Sequence, residues 1–228
     1  MINGIIFDLD GTLADTIQDL RTAANSMLTK LGYPTRSVAD IIKFINNGAK
    51  ELIRRCLPKE VQNVDFILES AIRTYEEEYA KCYCDKTQAF SGVESMLMEL
   101  KGMGYKIGVL SNKQDSFVKD IVYKLFDKKI FSEVMGQSML PPKPNPASAL
   151  LAAKMMGLKP QRCIYIGDSD VDIKTAYNAG MKQISVTWGY RGEEFLKKSG
   201  ASHIARTPDE VIEAVREISE AEDSKSKK

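Results

Sequence analysis

The sequence has few of the groups that would mark a zinc finger, a serine hydrolase or a polyanion binder. Its 228 residues hold one histidine, one tryptophan and four cysteines. A single imidazole, His203, leaves a Ser-His-Asp triad only one possible base, and nothing beside it in the chain marks it as more than structural. Cys56, Cys82, Cys84 and Cys163 are scattered, and Cys82-Tyr83-Cys84 alone is too close for the usual zinc spacing, so buried free thiols are expected. An excess of charge of one sign is also missing, with 32 Lys and Arg against 31 Asp and Glu. That balance offers no basic surface for a nucleic-acid backbone or an anionic membrane. No apolar run approaches the ~20 residues that span a bilayer, and Met1-Ile2-Asn3-Gly4 opens no hydrophobic leader. A cytoplasmic protein without nucleic-acid or membrane partners is the expectation.

What is present is a rhythm of short apolar runs and amphipathic stretches. Gly4-Ile5-Ile6-Phe7 leads into Asp8 and a glycine-containing turn, as a buried strand opening a βα unit does. Similar runs lie at 105–110, 163–166 and 183–187. Between them Val93, Met96, Leu97 and Leu100 form a helical stripe, expected to start from a capping box of Ser91 and Glu94 and to stop at Gly104. Thr207-Pro208-Asp209-Glu210 opens a further helix. Gly102-Met103-Gly104 precedes a strand instead of following one, so it is a helix stop and no dinucleotide fingerprint. Such alternation predicts an α/β fold with a mostly parallel sheet covered on both faces.

One stretch departs from this rhythm. From about Asp15 to Asp85 the periodicity is helical throughout, with stripes at Ile17, Leu20, Ala24, Met27, Leu28 and Leu31, at Ile42 to Cys56, and at Leu68, Ile72, Tyr75 and Tyr79. A small helical domain over 15–85, inserted just after the first strand, is therefore predicted, with 1–14 and 86–228 forming the α/β core. Ser224 to Lys228 reads as a charged, frayed tail.

Ligands in open parallel sheets bind beyond the carboxyl ends of the strands. The residues predicted there are Asp8-Leu9-Asp10-Gly11-Thr12, Ser111-Asn112-Lys113 and Gly167-Asp168-Ser169-Asp170-Val171-Asp172, joined by a loop carrying Lys143-Pro144-Asn145-Pro146. A calcium loop is excluded, because Gly11 comes too early and no Glu closes the segment. In this order the four segments resemble the motifs of the haloacid dehalogenase superfamily, whose fold is a Rossmann-like core with a helical cap inserted after the first motif. The resemblance runs from Asp8 to Asp172.

The resemblance implies an Mg2+-dependent phosphatase acting on a small phosphorylated metabolite, as a monomer or homodimer. It makes Asp8 the nucleophile, and an acyl phosphate on a carboxylate divides one hard displacement into two easier ones. It makes Asp10 the acid toward the leaving alkoxide and then the base toward water. Gly11, Thr12, Ser111, Asn112 and Lys143 hold phosphoryl oxygens. The metal ligands implied are Asp8, the Asp10 carbonyl and Asp168, supported by Ser169 and Asp172. Charge counting agrees, since Asp8, Asp10, Asp168 and Asp172 against Lys143 leave three negative charges, which a divalent cation and a proton on Asp10 cancel.

Phe44-Ile45-Asn46-Asn47-Gly48-Ala49-Lys50 also resembles the cap of phosphoglycolate phosphatases. There Asn47, Gly48, Lys50 and Arg54 are the expected contacts to a substrate carboxylate, against the plainer reading of a capped, solvated helix. A pyrophosphatase, a sugar-phosphate phosphatase or phosphomutase, and a non-catalytic phosphate sensor remain open alternatives. Trp188 and Tyr190, just past a strand end, are expected to pack more than to line the cleft.

Overall fold

The computed structural model describes residues 1–226. The chain divides into two compact units, Met1–Ala14 with Ala89–Lys228, and Asp15–Gln88. Strand β1 (Gly4–Phe7) starts the first, and all four of its residues are buried, as a central strand covered on both faces requires.

The second unit is helical. Helix α1 (Ile17–Lys30) buries Ile17, Leu20, Ala23, Ala24, Met27 and Leu28, and the chain turns at Gly32 with φ 76°. The apolar pattern from Ile42 to Cys56 suggests one continuous stripe, but the chain breaks it into α2 (Val38–Phe44) and α3 (Ala49–Cys56). Asn46 at φ 85° and Gly48 at φ 83° take left-handed backbone between them, which no helix interior tolerates. A capping box of Ser37 and Asp40 starts α2. Helix α4 (Asp65–Cys82) buries Leu68, Ala71, Tyr75 and Tyr79, with Tyr75 stacked on Tyr79 at 5.6 Å between ring centroids. The two ends of this unit are tied by Asp19, a buried carboxylate on α1. Its Oδ2 accepts the Thr87 amide at 2.8 Å and the Thr87 hydroxyl at 2.7 Å, and also the Lys86 amide at 3.0 Å. Such a charged group persists in a core only when its lone pairs are met in this way.

The first unit continues with α5 (Val93–Gly102), β2 (Lys106–Gln114), α6 (Asp115–Leu125), β3 (Phe131–Gln137), α7 (Ala147–Met155), β4 (Cys163–Gly167), α8 (Asp170–Ala179), β5 (Lys182–Val186), α9 (Glu193–Lys198), β6 (Ile204–Ala205) and α10 (Pro208–Ser226). The six strands lie in the order β3-β2-β1-β4-β5-β6, and every neighbouring pair is parallel. Two strands carry no apolar run in the sequence, for a physical reason. β3 and β6 are the sheet edges, and along β3 only Val134 and Gly136 are buried. Helix α5 starts from Gly92 at φ 77°, with no side-chain cap, one residue after the Ser91 expected to cap it. The four cysteines are buried, and none is in a disulfide. Helix α10 runs through Ser226, so the charged segment from Ser224 begins as helix, while Lys227 and Lys228 lie outside the described residues. Among those residues no helix is long and apolar enough to cross a membrane.

On one face of the sheet, Ile6, Leu110, Cys163 and Tyr165 pack against Ala149, Ala152, Ala153 and Met156 from α7 and its end. The run of alanines lets α7 approach the strands closely, which fixes the loop that precedes it. Register fixes the rest. Phe7 stands opposite Val109 of β2 and Ile166 of β4, so the residues that follow these three strands emerge side by side where the strand order reverses.

Candidate active site

Asp8 leaves β1 with its amide bonded to the Ile166 carbonyl at 2.9 Å, so it sits at the carboxyl edge of the sheet's centre. Its Oδ1 accepts the Leu9 amide at 2.7 Å and lies 2.9 Å from Lys143 Nζ. Lys143 is buried, and the same ammonium reaches Asp172 Oδ1 at 2.8 Å, the Tyr165 hydroxyl at 3.0 Å and the Leu110 carbonyl at 3.2 Å. Burial alone would depress a lysine, but Asp172 and Asp8 outweigh it and hold Lys143 charged, with its pKa above the ordinary value. Burial, reinforced by Asp172, pushes the Asp8 carboxyl well above the usual range, although Lys143 pulls it the other way.

Asp172 is fully committed. Its Oδ2 accepts the Ser169 hydroxyl at 2.5 Å and the Ser169 amide at 3.2 Å, a capping box that starts α8, while Oδ1 faces Lys143. Asp168 is not committed in this way. Its Oδ2 accepts the Tyr190 amide at 2.7 Å, but its Oδ1 is buried with no hydrogen-bond partner. Burial, then the Asp172 charge, push Asp168 up to about 7. An orphaned carboxylate oxygen in a protein interior is a costly group that a cation would satisfy. Carboxylate oxygens of Asp8, Asp168 and Asp172 lie within 4.8 Å of one another, and a hard cation with oxygen ligands suits such a set. Because both Asp172 oxygens are occupied, Asp8 and Asp168 are the fitting ligands and Asp172 orients its neighbours.

Gly11 turns the first loop at φ 84°, and a Cβ there would strike Asp168 Oδ2, so the bare backbone is what allows the loops after β1 and β4 to touch. Thr12 is buried, and its Oγ1 has no partner. Ser111 Oγ donates to Asp10 Oδ2 at 3.3 Å. Asn112 also braces the loop that carries Lys143. Its side-chain carbonyl accepts the Lys143 amide at 2.7 Å and its side-chain amide donates to the Lys143 carbonyl at 2.9 Å, so the side chain fixes the lysine loop.

The candidates in the helical unit are placed separately. Asn47 and Lys50 are exposed, and Gly48 caps α3. Arg54 is engaged on its own helix, with Nε 2.8 Å from Glu51 Oε2 and a further ion pair to Oε1, which leaves Lys50 the less encumbered cation.

The arrangement agrees with the family comparison. The model for haloacid dehalogenase-like hydrolases matches residues 5–186. The chain belongs to this family. A phosphoglycolate phosphatase of Pseudomonas putida is 31% identical over 218 residues, covering 94% of this chain and 77% of the relative. One from Psychrobacter arcticus is 35% identical over 192 residues, covering 82% of this chain and 84% of its own. A crystal structure of a protein provisionally assigned as a phosphoglycolate phosphatase, from Lactobacillus delbrueckii subsp. bulgaricus, superposes with a TM-score of 0.87 at 30% identity, covering 93% of this chain and 98% of its own.

For a hydrolase of this family, three further residues at the site carry no strong signal in the sequence. Tyr165 lies inside an apolar strand run, yet its hydroxyl meets Lys143 Nζ. Trp188 Nε1 donates to the Thr12 carbonyl at 3.0 Å, so this residue, expected mainly to pack, pins the first motif. Lys113 Nζ lies 2.8 Å from Asp10 Oδ1, and it supplies a second ammonium that the charge count from sequence leaves out. With it the excess falls to two negative charges, the charge of one divalent cation.

Proposed function

We propose that this phosphatase hydrolyses a small phosphomonoester through a phosphorylated Asp8, with Mg2+ as cofactor and 2-phosphoglycolate as the leading substrate. The observation that carries this reading is the convergence of Asp8, Asp10, Ser111, Lys143, Asp168 and Asp172 at one sheet edge, with Lys143 Nζ bridging Asp8 and Asp172 at 2.9 and 2.8 Å. Asp8 attacks phosphorus in line as the ester P–O bond breaks, and Asp10 protonates the departing alkoxide. Asp10 then takes a proton from the water that attacks the acyl phosphate, which releases inorganic phosphate and restores Asp8. Ser111, Thr12 and Lys143 hold the phosphoryl oxygens during both transfers. Asp8 and Asp168 would hold the cation, which when bound supplies the positive charge that offsets repulsion between a phosphate dianion and the carboxylates.

The names of the relatives support 2-phosphoglycolate, and the helical unit offers Asn47, Gly48 and Lys50 for its carboxylate. The purified protein should release phosphate from 2-phosphoglycolate faster than from a panel of other small phosphates, with Mg2+ and not with EDTA. Lys50→Ala should raise KM for 2-phosphoglycolate about tenfold, the worth of one charge-assisted contact, and leave p-nitrophenyl phosphate within about twofold. If 2-phosphoglycolate is turned over no better than the rest of the panel, the substrate assignment fails. No turnover of any phosphomonoester with Mg2+ present would favour a phosphate sensor.

The cation site has a test that needs no turnover. Between the ordinary carboxylate range and about 7, folded Asp168 keeps a proton that the unfolded chain has already lost. The metal-free protein therefore loses stability as pH rises through that window. A cation that takes the ionised carboxylate removes this penalty, so the rise in Tm on adding MgCl2 should be larger at pH 8 than at pH 5.5. Thermal melts that shift equally at both values, or not at all, would refute the site.

A further inference from the structure

Two ammonium groups divide three of the four active-site carboxylates between them. Lys143 serves Asp8 and Asp172, whereas Lys113 lies 2.8 Å from Asp10 Oδ1. The Lys113 side chain is only 7% exposed, and that of Asp10 is 17% exposed, so this is no surface ion pair of negligible worth. A lysine gives up much rotamer freedom to be held in this way, which demands a firm partner. The sequence explains the convergence. Residues 111 and 113 are i and i+2 at the end of β2 and share one side of an extended backbone. Ser111 Oγ donates to Asp10 Oδ2 at 3.3 Å and accepts the Lys113 amide at 3.1 Å, so the hydroxyl and the ammonium grip the two oxygens of one carboxylate. Asp115, two residues on, anchors that segment, since its Oδ1 accepts the Gly136 amide of the neighbouring strand at 2.9 Å.

We propose that Lys113 is a positioning residue for Asp10, fixing the carboxylate where it meets the leaving-group oxygen. The inference rests on the acid–base role given to Asp10 above. Lys113 neither takes part in bond making nor serves as a principal phosphate contact. Its work is to keep Asp10 in one rotamer, because a proton donor must stay within hydrogen-bond reach of the oxygen that departs.

The test compares kcat/KM, which covers steps up to the first phosphoryl transfer, for an alkyl phosphate and for p-nitrophenyl phosphate. The alkyl probe is 2-phosphoglycolate or glycerol phosphate, and the proteins are wild type, Lys113→Met, Lys113→Arg, Asp10→Asn and the Asp10→Asn/Lys113→Met double variant. Lys113→Met should lower the alkyl value by roughly 30- to 100-fold, within the span of general acid catalysis, and the aryl value by less than about threefold. Lys113→Arg, whose fork can grip the same carboxylate, should recover most of the loss. In the Asp10→Asn background, Lys113→Met should cost little more, because the two residues act as one unit. Lys113→Gln replaces Lys113→Met if the latter melts well below wild type. Equal losses on both substrates, or a full loss in the Asp10→Asn background, would overturn the proposal and mark Lys113 as a direct phosphate contact. If Asp10→Asn itself reduces both substrates equally, the acid–base reading falls, and this inference with it. If Asp10→Asn separates the substrates and Lys113→Met does not, only the role of Lys113 is lost.

Discussion

Asp8→Asn should abolish turnover, by at least about 10⁴-fold or roughly 5.5 kcal/mol in the barrier, while leaving the protein at least as stable as wild type. The amide keeps the size of the side chain, and its oxygen can still accept from the Leu9 amide and Lys143. What it loses is the nucleophilic charge. The stability part follows from the carboxyl's raised pKa, which burial and Asp172 cause. A folded pKa above the unfolded one means that the ionised form weakens the fold above that window, and Asn has no ionised form. Melting curves at pH 8 without metal should therefore place the variant at or above wild type, while phosphate release is lost. Activity within about tenfold of wild type, a difference of only ~1.4 kcal/mol, would rule out Asp8 as the nucleophile. A variant that loses activity and also melts early would leave misfolding as the simpler account and would contradict the electrostatic argument.

How much of this site is legible in the chain depends on whether a residue's neighbours are local. Asp8, Asp10, Lys143 and Asp168 stand in short segments whose composition signals a turn after a strand or beside prolines, and the structure gathers them because β1 pairs with both β2 and β4. The central strands announce themselves as apolar runs because both faces are covered. The edge strands do not, since exposed or half-exposed residues such as Ser132 and Glu133 interrupt β3, and β6 is only the two residues Ile204–Ala205. Lys113 and Tyr165 are illegible for another reason. A lysine after Ser-Asn is ordinary at a strand end, and a tyrosine inside Cys-Ile-Tyr-Ile-Gly is ordinary core. Their roles exist only through partners about 100 and 22 residues away, Asp10 and Lys143. Asn112 shows the same limit. Its position beside Ser111 suggests a ligand contact, and nothing local announces that its side chain also meets both backbone groups of Lys143, across 31 residues. In the helical unit the break between α2 and α3 hides in Asn46-Asn47-Gly48. Their backbone role, ending one helix and starting the next, shows only in the folded chain.

Lys143→Met should do the largest damage to both activity and stability, and pH should separate its causes. Methionine replaces the aliphatic stem but removes the charge that bridges Asp8 and Asp172, leaving two buried carboxylates facing each other at a site with an orphaned Asp168 oxygen. Breaking a buried ion pair from one side costs about 3–5 kcal/mol, because the remaining charge stays desolvated. In the metal-free variant Asp8 loses the one nearby group that lowers its pKa, so its folded value moves higher still, and the folded state then binds a proton that the unfolded chain lacks. Stability should consequently fall as pH rises and recover on acidification, so the gap in Tm between variant and wild type should be widest near pH 8 and should narrow toward pH 5. Phosphate release should drop by at least about 10³-fold, in line with the loss of a principal charge stabilising a transferring phosphoryl group. A purely steric defect, such as the loss of the contact with Tyr165, predicts a gap that does not change with pH. Denaturation of both proteins at pH 5, 6.5 and 8 would distinguish the two, and a constant gap would show that Lys143 acts by packing and not by charge.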